Sequence, residues 1–279
     1  MIDIVTVIFR EELPILKLQA ESIDLYCQEM NLGTIYVIVN DDPLDIDTSW
    51  WGSLSEHVRI IHRGVWPTKY VENGWLTQQL LKLLGSANST NTWSMVLDAK
   101  TILVQSVVID RLFDKHDRIT WGHTPISPVF DPARKIVSEL FNIDQKHVAG
   151  PAGVPFLFHN ATVRSMIKDV ELRVKQPFAE WFQQQGMVTE FILYSGYVEY
   201  RDSTLDVMYS CDSNNSYRVC NVCHSEVELF NLKFIEMMHP DTLTVSVHRK
   251  AWDLLTDIQR KAYKDFLTLH SISQAKYLK

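Results

Sequence analysis

Trp93-Ser-Met-Val-Leu-Asp98-Ala-Lys100 sets a carboxylate and an ammonium two residues apart at the end of an apolar run. Ser94 to Leu97 have β-strand character, and such a run reads as a buried strand. The two-residue period of a strand puts Asp98 and Lys100 on one face and Ala99 on the other. In open α/β sheets ligands sit just beyond the carboxyl ends of the strands, which is where this pair falls. An ammonium there can neutralise a phosphate or pair with the carboxylate, and a salt bridge at a strand end accounts for the same residues. Two further stretches carry reactive types. Glu190 lies inside the apolar run Val188-Thr-Glu-Phe-Ile-Leu-Tyr194. A carboxyl in such surroundings can have a raised pKa, which suits a proton acceptor. A helix-start glutamate facing water fits the same sequence. Thr242 to His248 reads as a strand that delivers His248-Arg249-Lys250 at its end.

The elements that must position these groups follow from periodicity. Ile2 to Phe9 is nearly all apolar and β-branched, which predicts a central parallel strand. A helix follows, with Leu13, Leu16, Ala20, Ile23 and Cys27 at helical spacing and Gly33 beyond its end. Ile35 to Val39 is a second strand closed by Asn40-Asp-Asp-Pro43, so the chain opens with a βαβ unit. The Asn40, Asp41 and Asp42 run also reads as an Asx-type turn. His57 to His62 supplies a third strand. Over Gly74 to Ala87 the spacing predicts a helix whose apolar stripe is Leu76, Leu80, Leu83 and Leu84. Trp75, Gln78, Gln79 and Lys82 gather on another face, which is either a solvated surface or the wall of a site.

Arg118 to Gly122 reads as another strand, and Asp131-Pro132 starts a helix. Gly150-Pro-Ala-Gly153 is a turn suited to shaping a pocket, or simply a turn. Asn160 caps a helix, and helices follow from Pro177 to Gln185 and from Thr189 onward. Residues 202 to 225 read as a polar excursion, and a last helix runs from about Ala251 to Leu269. No internal repeat is visible.

The chain has 279 residues, 46% hydrophobic and 22% charged, enough apolar material for a sizeable core. The expected organisation is one domain over 1–279, in two halves at 1–125 and 126–279, the second with a C-terminal extension. The net charge of −7 argues against general nucleic-acid or anionic-membrane binding, since both need a basic surface. No stretch approaches the roughly 20 apolar residues of a membrane span, and no signal-peptide pattern opens the chain. A cytoplasmic protein is expected.

In their order, several of these segments resemble the GT-A glycosyltransferases, similar to families seen in bacteria and their phages. They are the first βαβ unit with Asn40-Asp41-Asp42, the Gln78-Gln79-x-x-Lys82 helix, Leu97-Asp98-Ala-Lys100, Thr189-Glu190-Phe-Ile-Leu-Tyr194 and Ser246-Val-His248-Arg249. The resemblance implies an α/β GT-A fold, Rossmann-like, with a mostly parallel central sheet between helices and a C-terminal extension. It implies an enzyme that moves a sugar from a nucleotide-diphosphate donor, UDP-sugar by default, to a hydroxyl of a carbohydrate acceptor. Donor-side roles fall to Phe9, Arg10, Asn40, Asp41, Lys69, Trp75, Gln79, Lys82, Lys100 and Arg249. Asp98 and Glu190 take the catalytic roles, Glu190 as the base of an inverting transfer. The family places an Asp-x-Asp at the strand end, whose carboxylates hold manganese or magnesium. By that pattern Asp98 and His248 would be the metal ligands, but Lys100 stands where the second aspartate belongs. An ammonium there opens a route without metal.

Two other readings stay open. A sugar nucleotidyltransferase shares this sheet type, although Phe9-Arg-Glu-Glu-Leu-Pro14 is a poor match for its Gly-rich phosphate loop. A catalytically inactive member that binds a sugar nucleotide or a partner is favoured by Lys100. Cys211, Cys220, Cys223 and His224 form a possible four-ligand zinc set, although adjacent Cys223 and His224 rarely reach one ion together. Reduced bystander cysteines are the ordinary case in a cytosolic chain. Cys220-Asn-Val-Cys223-His224 also matches the haem-attachment string, but nothing points to export and no haem is expected.

Overall fold

The computed structural model describes residues 1–120, 127–148, 154–210, 217–273, 275 and 278. The chain opens with β1 (Ile2–Ile8), buried at every position, then α1 (Leu13–Tyr26) and β2 (Leu32–Val39). Next come β3 (Val58–His62), α2 (Gly74–Asn88), β4 (Trp93–Asp98) and β5 (Ile102–Leu103). A short helix α3 (Ile109–Leu112), β6 (Ile119–Thr120), α4 (Asp131–Phe141) and β7 (Phe156–His159) lead into the second half. There the order is α5 (Asn160–Val174), α6 (Phe178–Gln184), α7 (Glu190–Asp202), β8 (Tyr209–Ser210) and β9 (Arg218–Val222). The chain then forms α8 (Phe230–Met237), β10 (Thr242–Val247), α9 (Arg249–Trp252) and α10 (Asp257–Leu269).

The main sheet has the order β3-β2-β1-β4-β7. Its first four strands are parallel, and β7 closes the edge antiparallel to β4. Parallel strands covered by helices are mostly apolar on both faces, and five of the seven β1 residues are Val or Ile, with Asp3 and Thr6 buried among them. The chain leaves β1 toward β2 on one side and later returns to pair β4 on the other. That reversal between β1 and β4 is a topological switch point, where a crevice opens beyond the strand ends. Asp98 is in register with Val7 there.

A second sheet, β5-β10-β9, carries its own apolar core of Leu18, Ile102, Phe230, Val245, Phe266 and neighbours. It brings the end of β10 back over the end of β4.

Three sequence expectations are corrected. The stretch 202–225 is not simply a polar excursion, because β8 and β9 lie within it. In β9, Cys220 and Val222 alternate with polar residues and are buried beside β10. The last helix is broken into α9 and α10. Thr256 accepts from Gln259 N at 3.3 Å while Gln259 Oε1 accepts from Thr256 N at 3.0 Å, a reciprocal cap that starts a new helix. The strand at 118–122 contains only Ile119–Thr120 within the described residues, and it pairs with β8 rather than joining the main sheet.

Helix α2 packs close to the sheet because position 85 has no side chain. A Cβ on Gly85 would stand 2.4 Å from Ile38 Cδ1 and 3.1 Å from Val5 Cγ1. Gly85→Val is therefore expected to destabilise the fold by about 1–3 kcal/mol through overpacking. In urea unfolding the midpoint should fall with the slope unchanged; an unmoved midpoint would contradict this close packing.

Candidate functional site

The turn after β4 is built by α1. Gln19, fully buried, donates from Nε2 to the Asp98 carbonyl at 2.6 Å and to the Thr101 carbonyl at 3.0 Å. Ser22 Oγ accepts from Leu103 N at 3.1 Å. Thr101 N returns to the Asp98 carbonyl at 2.8 Å. β4 ends at Asp98, and Ala99 and Lys100 form a turn in which Ala99 is buried and the Lys100 side chain comes back to the Asp98 carboxylate.

Those side chains meet Lys82 of α2 and Glu190 of α7. Lys82 Nζ lies 2.6 Å from Asp98 Oδ1 and 2.9 Å from Glu190 Oε1, and Lys100 Nζ lies 2.7 Å from Asp98 Oδ2. The Lys82 and Glu190 side chains are 3% and 0% exposed, so this is a buried charge cluster rather than a solvated face. The Lys82 ammonium also sits 5.4 Å from the centre of the Phe191 ring.

Burial alone would raise the Asp98 carboxyl, but the two ammonium groups outweigh it and hold Asp98 well below the usual carboxylate range. Burial would lower Lys82, and its two carboxylates instead raise it. Glu190 moves the other way. Burial raises it, and Lys82 opposes that only in part. Among the described residues Glu190 Oε2 has no side-chain hydrogen-bond partner.

The cluster floors a cleft of about 650 Å³. Phe9, Trp75, Gln78 and Gln79 stand on one side of it, and His248, Arg249 and Lys250 on another. Trp75 is 39% exposed, an aromatic face open to a ligand. His248 caps α9, its Nδ1 accepting from Lys250 N at 3.2 Å. Burial lowers its imidazole pKa, and Lys100, His224, Lys250 and Arg249 lower it further. Glu12 also lines the cleft, a residue the sequence reading passed over. Its Oε2 accepts from Phe9 N at 3.1 Å, and burial raises its pKa.

The structure thus gathers Phe9, Trp75, Gln79, Lys82, Asp98, Lys100, Glu190, His248 and Arg249 around one cleft. It leaves Arg10, Asn40, Asp41 and Lys69 outside the lining. Asn40 donates to the Gly74 carbonyl at 3.3 Å and accepts from Arg63 Nη1 at 3.0 Å, tying β2 to the start of α2. Asp41 Oδ2 accepts from Arg10 N at 3.3 Å, and Lys69 contributes its carbonyl to Gln183 Nε2 at 3.1 Å.

The implied metal was tested against its donor set. Both Asp98 oxygens are occupied by ammonium groups, so a divalent cation at this carboxylate would face two like charges. Like unit charges 4 Å apart repel by about 4 kcal/mol at an effective dielectric of ~20. Among the described residues no three His, Cys, Asp or Glu side chains gather as a cation site. The residues do not fit the metal that the resemblance implies. The zinc set fares no better within the described residues. Cys220 Sγ donates to the Lys233 carbonyl at 3.3 Å, and burial pushes its thiol up to about 12. Cys211 and the Gly150–Gly153 turn lie outside the described residues.

Residues 6–236 match a family described as "Family of unknown function (DUF6492)". The chain belongs to that family. No curated protein matches it in sequence. Among solved structures, the chain is similar to a galactosyltransferase, LgtC, crystallised with donor and acceptor sugar analogues. The two are 11% identical with a TM-score of 0.50, over 96% of this chain and 95% of that one. It is also similar to the glycosyltransferase GlyE of Streptococcus pneumoniae TIGR4, at 13% identity and TM-score 0.48, over 99% of this chain and 62% of that one. At these identities the likeness is one of fold. The architecture is that of the GT-A glycosyltransferases, a mainly parallel central sheet flanked by helices.

The opposite shifts at Asp98 and Glu190 give a pH signature with a definite sign. A carboxyl raised in the folded state binds its proton more tightly there than in the unfolded chain. Stability then falls as pH climbs from the ordinary carboxylate range through the folded value. Glu190→Gln removes that slope. The lead of the wild-type chain over Glu190→Gln in unfolding free energy should therefore be largest below about pH 4, the unfolded carboxylate range, and shrink as pH rises. Denaturant titrations across pH 4–8 check this, and a lead that grows with pH would contradict the burial argument.

Proposed function

We propose that this protein is a glycosyltransferase that moves a sugar from a nucleotide-diphosphate donor, UDP-sugar by default, to a hydroxyl of a carbohydrate acceptor. The observation that carries the reading is the placement of the Asp98–Lys82–Glu190 cluster with Lys100. It lies in a cleft beyond β1 and β4, at the switch point of a GT-A sheet. Cations and open aromatic faces in one cleft suit a ligand that joins a phosphate to planar rings, and Trp75 and Phe9 supply faces on which a base or sugar stacks.

In this reading the acceptor oxygen attacks the anomeric carbon of the donor. The bond from that carbon to the diphosphate oxygen breaks, and the diphosphate leaves with the electron pair. Charge grows on the leaving oxygens, where Lys100 and Arg249 provide compensating cations. The acceptor proton passes to a carboxylate. Glu190 Oε2, without a side-chain partner among the described residues and held in place through Lys82 on Oε1, is the group available for it. Its raised pKa brings it toward the range a general base needs.

One observation favours a second reading, a member that binds a sugar nucleotide without transferring it. The Glu190 side chain is 0% exposed, so the acceptor must open a path to reach it.

Thermal unfolding against UDP, GDP, CMP and dTDP tests the donor site, because a ligand of the native state raises the melting temperature by mass action. One nucleoside diphosphate should stabilise the chain, and release of its sugar from the matching nucleotide sugar should be detectable. Glu190→Gln should retain that stabilisation and lose about 10²–10⁴-fold in turnover. Stabilisation without any sugar release favours the binding-only reading. No shift from any of the four compounds would overturn both.

A further inference from the structure

We infer that the donor diphosphate is met directly by the Lys100 ammonium, released from Asp98, with no divalent cation between them. The inference rests on the donor-site reading above and specifies how that site carries its charge.

The two lysines on Asp98 are not equivalent. Lys82 is enclosed, its side chain 3% exposed, and it is bound to two carboxylates on different elements. Moving it would leave Glu190 in the interior without its cation, a displacement of high energy. Lys100 is 24% exposed and stands at the cleft, and its ion-pair partner among the described residues is Asp98 alone. If Lys100 turns away, Asp98 still keeps Lys82 on Oδ1. The ammonium can therefore exchange one carboxylate oxygen for a diphosphate, which carries more charge and several acceptor oxygens. A cation in the same place would have to take an Asp98 oxygen from a lysine and remain beside two ammonium groups.

The surroundings point the same way. Arg249 and Lys250 reach the cleft from α9, adding cationic side chains on the side toward Lys100. Arg249 is 54% exposed and only loosely paired with Glu11 at 3.9 Å, so it too is free to turn to an anion.

The test is calorimetric titration of the full chain with UDP and with GDP, in EDTA and again with excess manganese. Binding of at least one should be the same within about twofold in the two conditions. Lys100→Met, which keeps the aliphatic stem, should weaken that binding by about tenfold or more, the effect of losing one charge-assisted contact. Manganese should not restore it, and Lys100→Arg should recover most of it. The unliganded Lys100→Met chain should melt close to wild type, since Asp98 retains Lys82.

Binding abolished by EDTA and restored by manganese would overturn the inference while leaving the donor site intact. Unchanged binding by Lys100→Met would do the same. Failure of the wild-type chain to bind UDP or GDP in either condition would overturn the inference, and the donor-site reading falls with it if CMP and dTDP also fail to shift the melting temperature.

Discussion

The Lys82 ammonium, 2.6 Å from Asp98 and 2.9 Å from Glu190, is the contact on which the rest of the site depends. Three elements distant in sequence meet at it: α2, the end of β4 and the start of α7. Each of the three charges would be costly alone in this interior, and together they satisfy one another. The arrangement fixes where the helices stand over the strand ends and gives each carboxyl a different state. Asp98, between two ammonium groups, is firmly ionised. Glu190, with one, is raised by its burial, which Lys82 offsets only in part. Two acids of opposite tendency within one small cleft are a common arrangement where proton transfer and charge stabilisation are divided between them.

The same contact sets the charge balance of the cleft. Asp98 has its own cations, so it is not a vacant ligand waiting for a metal, and Lys100 becomes the exchangeable member of the cluster. The backbone supports this division. Gln19 pins both carbonyls of the Asp98–Thr101 turn, so Lys100 can move its side chain without loosening the strand end that carries it. The second sheet brings His248, Arg249 and Lys250 to the other wall, so the cleft is closed by two structural layers that share few core residues.

Much of this was legible in the sequence. The Val- and Ile-rich stretches of β1 and β2 and the helical stripe of Leu76, Leu80 and Leu83 identify the parallel sheet, because burial on both faces favours apolar, β-branched residues. Asp98 and Lys100 do stand together, but a turn after the strand end, not the strand period, brings Lys100 back, and the polar face of α2 does line the cleft. What could not be read is partnership. Nothing in the local sequence says that Lys82 reaches across to Glu190, since the pair is separated by 108 residues and made by tertiary packing. Gln19 was hidden for a related reason. A polar residue next to an apolar stripe reads as a boundary position, unless one knows that two carbonyls face it. Asn40 and Asp41, taken as ligand contacts, serve first to tie strand ends and a helix start together, which their affinity for turns already allowed. The break between α9 and α10 lies at the reciprocal cap of Thr256 and Gln259, inside a stretch that reads as one helix.

A crystal structure with a bound nucleoside diphosphate, grown in manganese and measured at a wavelength where manganese scatters anomalously, tests the central claim most directly. The account predicts a phosphate oxygen within hydrogen-bond distance of Lys100, the Lys82–Asp98–Glu190 contacts intact, and no anomalous peak at Asp98. A manganese ion ligated by Asp98 and His248, with Lys100 turned away from the phosphates, would contradict it.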